Sequence, residues 1–192
     1  PVGPYYPKGF NPVKIMVSEK YVRGVPGGVG FAKTGGNYAA SNLAEKEAKE
    51  LGYTQVLWLD GVERRYIEEV GAMNIFFVIN DEIVTPQLTG SILPGITRMS
   101  VLELGKLWGL EVKEIRITID EVLNGLKEGT VTEVFGAGTA AVITPVGILS
   151  YKGEDYLIGS GETGPVATRF YEHLTGIQYG KEKDPFGWVE AI

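Results

Sequence analysis

The stretch GGVGFAKTGGNYAAS, residues 27–41, sets a single lysine, Lys33, among five glycines and follows it five positions later with a phenol, Tyr38. Glycines expose backbone N–H groups and let a ligand approach closely, while a lysine supplies either a point charge or a nucleophilic amine. A nucleotide-binding loop is the first chemistry to test. Its signature puts glycine directly before lysine, with a hydroxyl residue and a helix directly after. Here Ala32 precedes Lys33, and Thr34 is followed by Gly35 and Gly36, which work against immediate helix propagation. Two readings are left: a surface hairpin with an exposed lysine, or an amine held against a planar ligand with Tyr38 beside it.

Three other segments share the pairing of glycine with a group able to meet an anion or a ring. EEVGAMN (68–74) places Glu69 just before a flexible turn, and Glu68 beside it faces the opposite way if the segment is a strand. LPGIT (93–97) leads into a helix N-terminus, whose N–H groups and dipole attract phosphate. FGAGTAA (135–141) offers glycines and the Thr139 hydroxyl in a turn between β-like runs. Singly, each has an ordinary structural explanation: a helix start, a tight turn, a solvated carboxylate, an exposed lysine. Together, an amine, a phenol, a carboxylate and two phosphate-binding turns are the set that pyridoxal 5'-phosphate requires. The amine forms a Schiff base, the carboxylate keeps the pyridine nitrogen protonated, the phenol meets the ring oxygen, and the turns grip the phosphate.

Composition narrows the alternatives. A length of 192 residues with 44% hydrophobic content suits one substantial core. The net charge of -6, from 24 acidic and 18 basic residues without a dense basic cluster, argues against nucleic acid as a partner. There is no cysteine, which excludes thiolate catalysis and disulfides, and the one histidine, His173, leaves little scope for a metal site. The longest apolar run, AAVITPVGIL (140–149), is too short for a bilayer. No signal peptide is seen, so a cytoplasmic location and no membrane partner are expected. The chain opens on Pro1 and a proline-rich segment and reads like the middle of a larger protein.

The elements that must position these groups follow from pattern. Strands are predicted at 13–17, 54–60 and 74–80, the last turning through Asp81-Glu82 into IVTP. NYAASNLAEKEAKELG predicts a helix burying Leu43, Ala44, Ala48 and Leu51, stopped by Gly52. A second helix starts near Ile96 and buries Val101, Leu104 and Trp108. VKEIRITID alternates as a strand, with Asp120 capping the short helix EVLNGLKEG. Strand, turn, strand and hairpin follow, and a last helix runs from Pro165 through Leu174, closed by Gly176, with His173 structural or exposed on it. Strands and helices alternate too irregularly for a doubly wound sheet, which makes the fold class mixed α/β.

At these same residues the sequence resembles a family. GGVGFAKTGGNYAAS, QVLWLDG, EEVGAMNIFFV, LPGITR, VFGAGTAAVITPV and GIQYG look like the large domain of branched-chain amino-acid aminotransferases, which are fold-type IV (D-amino-acid aminotransferase-like) pyridoxal-phosphate enzymes, in order over almost the whole chain. The resemblance implies a large domain over 1–192, with 1–12 as an interdomain connection. It implies transamination of leucine, isoleucine and valine with 2-oxoglutarate through a Schiff base at Lys33, which also moves the proton. By it, Tyr38 bonds the ring oxygen, Glu69 pairs with the pyridine nitrogen, and the backbone at Ile96 and Thr97, with Thr139, holds the phosphate. Ala72, Thr139 and Ala140 face the substrate carboxylate. Ala72 stands where mammalian-type enzymes carry a threonine, so that hydroxyl contact is absent or replaced, and Ala141 and Thr144 stand where those enzymes carry a redox pair of cysteines, so thiol regulation is absent. The resemblance also implies a homodimer and an N-terminal small domain as partner, supplying a phosphate-binding arginine and part of the pocket. Without that small domain the chain is expected to be a large domain alone. Other readings are a D-amino-acid transaminase, an aminodeoxychorismate lyase, or an isolated domain without activity.

Overall fold

The computed structural model describes residues 10–190; most of the expected interdomain connection, residues 1–9, lies outside them. Nine strands and four α-helices are found among the described residues: β1 Val13–Val17, α1 Gly35–Glu50, β2 Gln55–Leu59, β3 Ile67–Val70, β4 Met73–Ile79, β5 Glu82–Pro86, α2 Ile96–Leu107, β6 Val112–Ile115, α3 Ile119–Glu128, β7 Val131–Gly138, β8 Val142–Tyr151, β9 Glu154–Leu157 and α4 Pro165–Gln178.

The strands form one sheet in the order β3-β2-β1-β8-β7-β4-β5-β6, with β9 paired to β8. An additional β3–β4 pairing joins two strands that are distant in that order, so β1, β2, β3, β4, β7 and β8 close into a six-stranded barrel. Closure removes the exposed sheet edges from those six strands. Parallel pairs β1–β2 and β1–β8 sit among antiparallel ones, the mixed arrangement that the irregular alternation of elements predicts.

The barrel interior and the α3 contact form one apolar cluster, including Ile15, Leu57, Val70, Ile75, Phe77, Val122 and Val134. A second lies between the sheet and helices α2 and α4, where Phe76 and Phe135 stack at 5.3 Å and Phe170 packs on Trp108. Both faces of β4 are thus buried, which explains why NIFFVI reads as an unbroken apolar run rather than an alternating one. Each fully buried side chain of this size contributes roughly 1.5–3 kcal/mol. Glu133 of β7 accepts the N–H groups of Val166 and Ala167 at 2.9 Å each, so a carboxylate on the barrel pins the first turn of α4.

Several expectations are corrected. α1 starts at Gly35, directly after the lysine loop, because a first-turn residue forms no intrahelical N–H bond and the glycines there give up little. Its buried stripe is Asn37, Ser41, Ala44 and Ala48, whereas Leu43 and Leu51 are exposed; only the small residues fit against β2, where Trp58 takes up the space. Val101 and Leu104 are buried as expected, with Trp108 half-buried at the C-cap of α2. Asp120 is not the cap of α3. Thr118 accepts from the Glu121 N–H, and the Glu121 carboxylate accepts in return from the Thr118 N–H at 2.7 Å. Gly136 and Gly138 lie in β7, leaving the turn to residues 139–141, and α4 continues through Gly176 to Gln178. His173 is half-buried on α4, edge-on to Trp108 at 5.4 Å.

The reciprocal cap makes a direct prediction. Thr118→Ala removes it and should destabilise the protein by about 1 kcal/mol, whereas Asp120→Ala should cost less than half as much; urea unfolding of the two variants separates them.

Candidate functional site

The long connection from β1 to α1, residues 18–34, carries Lys33 at its end. It holds its shape without strands because polar groups on neighbouring elements satisfy its backbone. Asn37, in the first turn of α1, donates to the Val29 and Ala32 carbonyls at 2.8 and 2.9 Å, folding the loop back on the helix. Lys33 is exposed, and its Nζ lies 3.3 Å from the Tyr38 hydroxyl, also on α1. The spacing of five residues therefore sets amine and phenol side by side.

Glu69 comes from β3. Strand alternation separates it from Glu68 as expected, but both carboxylates are buried. Glu69, 2% exposed, accepts from Asn74 Nδ2 at 3.1 Å and from the Leu93 N–H at 2.9 Å on one oxygen. The other oxygen lies 2.6 Å from Arg23 Nε in an ion pair and has no hydrogen-bond donor aligned on it among the described residues. Burial pushes the Glu69 carboxyl up to about 8, while the Arg23 charge, the Leu93 N–H and the Lys33 charge pull it the other way. Glu68 instead accepts from the Ser91 hydroxyl, and burial also raises its carboxyl.

From Glu69 the network reaches α2. Asn74 is the second residue of β4, and its second contact is the Leu93 carbonyl at 2.8 Å. A Cβ at Gly95 would collide with Asn74 Oδ1, so a larger residue at this N-cap would push the Asn74 amide off its contacts with Glu69 and Leu93. No side chain caps α2 and no acidic residue occupies its first turn. Arg98, though nearby, turns to the Pro86 carbonyl and Glu114. The N-terminus carrying Ile96 and Thr97 thus keeps its dipole uncompensated by the protein. Thr139 and Ala140 are exposed in the β7–β8 turn, and the β4–β7 register, with Asn74 opposite Ala137, brings that turn to the end of the barrel where Ala72 lies. Ala141 and Thr144 flank the start of β8 behind it.

Of the residues expected from sequence, Lys33 lies on the β1–α1 loop, Tyr38 on α1, Glu69 on β3, Ala72 in the β3–β4 turn, Ile96 and Thr97 at the start of α2, and Thr139 and Ala140 in the β7–β8 turn. Sequence reasoning missed Arg23, Asn74 and Ser91. The signal for Arg23 was one arginine in a valine- and glycine-rich stretch, a charge that must find a partner if buried. For Asn74 it was a lone amide opening an apolar strand.

The described residues thus offer an exposed amine beside a phenol, a buried carboxylate and a helix N-terminus without a side-chain cap. The family model for class IV amino-transferases matches residues 4–149, and the chain belongs to that family, with the fold-type IV architecture. It is 58% identical over 193 residues to branched-chain-amino-acid transaminase 1 of Bacillus subtilis, covering 100% of this chain and 54% of that protein. It is 50% identical over 192 residues to a probable branched-chain-amino-acid aminotransferase of Streptomyces coelicolor, covering 100% of this chain and 53% of that protein. Among solved structures, the Escherichia coli branched-chain amino acid aminotransferase superposes with a TM-score of 0.85 at 35% identity, over 100% of this chain and 60% of that one. A branched-chain amino acid aminotransferase of T.th., complexed with N-(5'-phosphopyridoxyl)-L-glutamate, superposes with a TM-score of 0.80 at 34% identity, over 93% of this chain and 56% of that one. The chain thus spans about half the length of the curated relatives it matches.

The buried carboxyl gives a pH prediction for the cofactor-free protein. Its folded value, about 8, lies above the ordinary 4.5. Below 4.5 both folded and unfolded chains hold the proton; between the two values only the folded chain does, so this group's contribution to stability is lost as pH rises through that window. Glu69→Gln removes this dependence. Melting temperatures measured at about pH 5 and about pH 8.5 should show the wild type falling relative to Glu69→Gln; parallel behaviour would contradict the buried, raised carboxyl.

Proposed function

We propose that this chain is the cofactor-holding half of a branched-chain amino-acid aminotransferase that binds pyridoxal 5'-phosphate and transfers amino groups between leucine, isoleucine or valine and 2-oxoglutarate. The observation that carries the reading is the buried Glu69 carboxylate, whose second oxygen lacks an aligned donor within the described protein. A pyridinium N–H is the donor that such an oxygen suits, and the Lys33 charge acts on the same carboxyl to lower it. The residues therefore fit the group. When bound, pyridoxal 5'-phosphate supplies an aldehyde carbon that takes up and returns the amino group and a ring that accepts electron density.

The residues divide the work. Lys33 Nζ would hold the cofactor's aldehyde carbon and, as general base and then acid, would move the proton at the substrate Cα. Tyr38 donates its hydroxyl to the ring oxygen, from the position that now sets it 3.3 Å from Lys33 Nζ. Glu69 holds the proton on the ring nitrogen. The first N–H groups of α2, at Ile96 and Thr97, and the Thr139 hydroxyl bind the phosphate. Thr139 and Ala140 offer the turn to the substrate carboxylate, and Ala72 offers that carboxylate no hydroxyl.

The remaining half of the enzyme, a small N-terminal domain, completes the pocket in this reading. The exposed Val29, Phe31 and Ile96 around the lysine loop and the start of α2 support such a covering. A homodimer and a cytoplasmic location complete the proposal; no helix among the described residues is long and apolar enough to cross a membrane.

Titration of the protein with pyridoxal 5'-phosphate should produce a visible absorbance that borohydride discharges. Lys33→Ala should abolish both that band and transamination while leaving the fold intact. Retained turnover at the wild-type rate in Lys33→Ala would sink the assignment. Glu69→Gln should still bind the cofactor but slow transamination by several orders of magnitude, because an amide cannot hold the ring proton.

A further inference from the structure

Arg23 makes more connections between parts of the site than any of the residues assigned above, and none of the roles given so far uses it. Its side chain is 4% exposed, on the loop between β1 and α1. Nη1 donates to two carbonyls, Gly30 at 3.1 Å and Ser91 at 3.0 Å, and Nε faces Glu69 at 2.6 Å. Gly30 lies three residues before Lys33, and Ser91 lies four residues before Gly95, the N-cap of α2. The two backbones are close at this point: a Cβ at Gly30 would collide with the Ser91 carbonyl oxygen. One guanidinium therefore refers the lysine-bearing loop and the segment leading into α2 to the same carboxylate.

The choice of arginine follows from this geometry. A guanidinium presents several donors in a fixed fork, so Nη1 and Nε meet acceptors on different segments at once, whereas an ammonium must direct all its donors from one nitrogen. The charged groups acting on Glu69 are Arg23, Lys33 and Glu68, and Arg23 also acts on Glu68. Lys33 is exposed and, in the functional reading above, becomes engaged by the cofactor, which leaves Arg23 as the permanent countercharge.

We infer that Arg23 is a positioning residue: it locks the lysine loop and the lead into α2 onto Glu69 and fixes the charge that Glu69 presents, without itself touching cofactor or substrate. The inference rests on the proposed role of Glu69, but its test reads the cofactor-free protein first. Arg23→Met keeps the stem and removes the charge; Arg23→Lys keeps the charge and removes the fork. With glutamate labelled in its carboxyl carbon, the Glu69 signal is identified by its loss in Glu69→Gln and titrated in each variant, and amide hydrogen exchange is followed over residues 24–34 and 87–95.

Arg23→Met should move the Glu69 titration to higher pH, speed exchange in both segments, and weaken pyridoxal 5'-phosphate binding about tenfold or more. Arg23→Lys should leave the titration near the wild-type position yet still speed exchange, since one nitrogen replaces the fork that meets both carbonyls and the carboxylate. An unmoved Glu69 titration in Arg23→Met, or unchanged exchange in either variant, would overturn the inference. If Arg23→Met does not fold, the exchange and titration of Arg23→Lys decide by the same criteria. Absence of pyridoxal 5'-phosphate binding by the wild type would count against the functional reading alone, because the titration and exchange arms contain no cofactor.

Discussion

A carboxylate and a guanidinium buried against each other, Glu69 and Arg23, form the constraint on which the arrangement of this site depends. Taking either charge out of water is costly, and their attraction offsets that cost only in part, which leaves the Glu69 carboxyl raised. Asn74 and the Leu93 N–H meet one Glu69 oxygen, and the carbonyls of Gly30 and Ser91 accept from Arg23. Such a pair adds less to stability than its number of contacts suggests. Its effect is on specificity, because a loop that shifts leaves a buried charge uncompensated.

The barrel is what keeps that pair dry. Glu69 projects from β3, a strand of four residues paired on both sides, to β2 at Trp58 and to β4 at Asn74. Had the sheet stayed open at β3, the strand would be an edge and its carboxylates would be solvated. Closure between β3 and β4 therefore links the architecture to the raised Glu69 carboxyl. Trp58 adds a further tie by donating its indole N–H to the Gly71 carbonyl at 2.9 Å, fixing the turn that leads from Glu69 to Ala72 and Asn74. The groups that meet solvent, Lys33, Thr139 and the α2 N-terminus, sit on loops around this rigid centre, an arrangement common to sites that must bind a ligand without reorganising.

Much of this was legible in the sequence. Local signals identified the elements wherever one interaction dominated: the apolar run of β4, the Pro-led start of α4, the glycine before α2. They failed where tertiary packing decided between similar residues. Leu43 and Ala44 are both apolar, and nothing in the helix itself says that only the smaller one faces β2 and Trp58. Thr118 and Asp120 are both good caps, and the bridge between Tyr66 and Thr118 helps settle which one turns the chain. The site was half legible for the same reason. Lys33 and Tyr38 are five residues apart and could be read together, whereas Arg23, Glu69 and Ser91 are joined only by the fold. No periodicity relates residue 23 to residues 69 and 91, so the buried ion pair had to be seen in three dimensions.

The central claim is that the fold holds Glu69 as a buried, charge-balanced acceptor for a ring nitrogen. Nuclear magnetic resonance of pyridoxal 5'-phosphate labelled with nitrogen-15 in the ring, bound to the protein, reads this directly. The account predicts a pyridinium shift that persists well above the pH at which the free cofactor loses that proton, because the carboxylate beside Arg23 stabilises the N–H. A neutral-pyridine shift at neutral pH in the wild-type protein would contradict it.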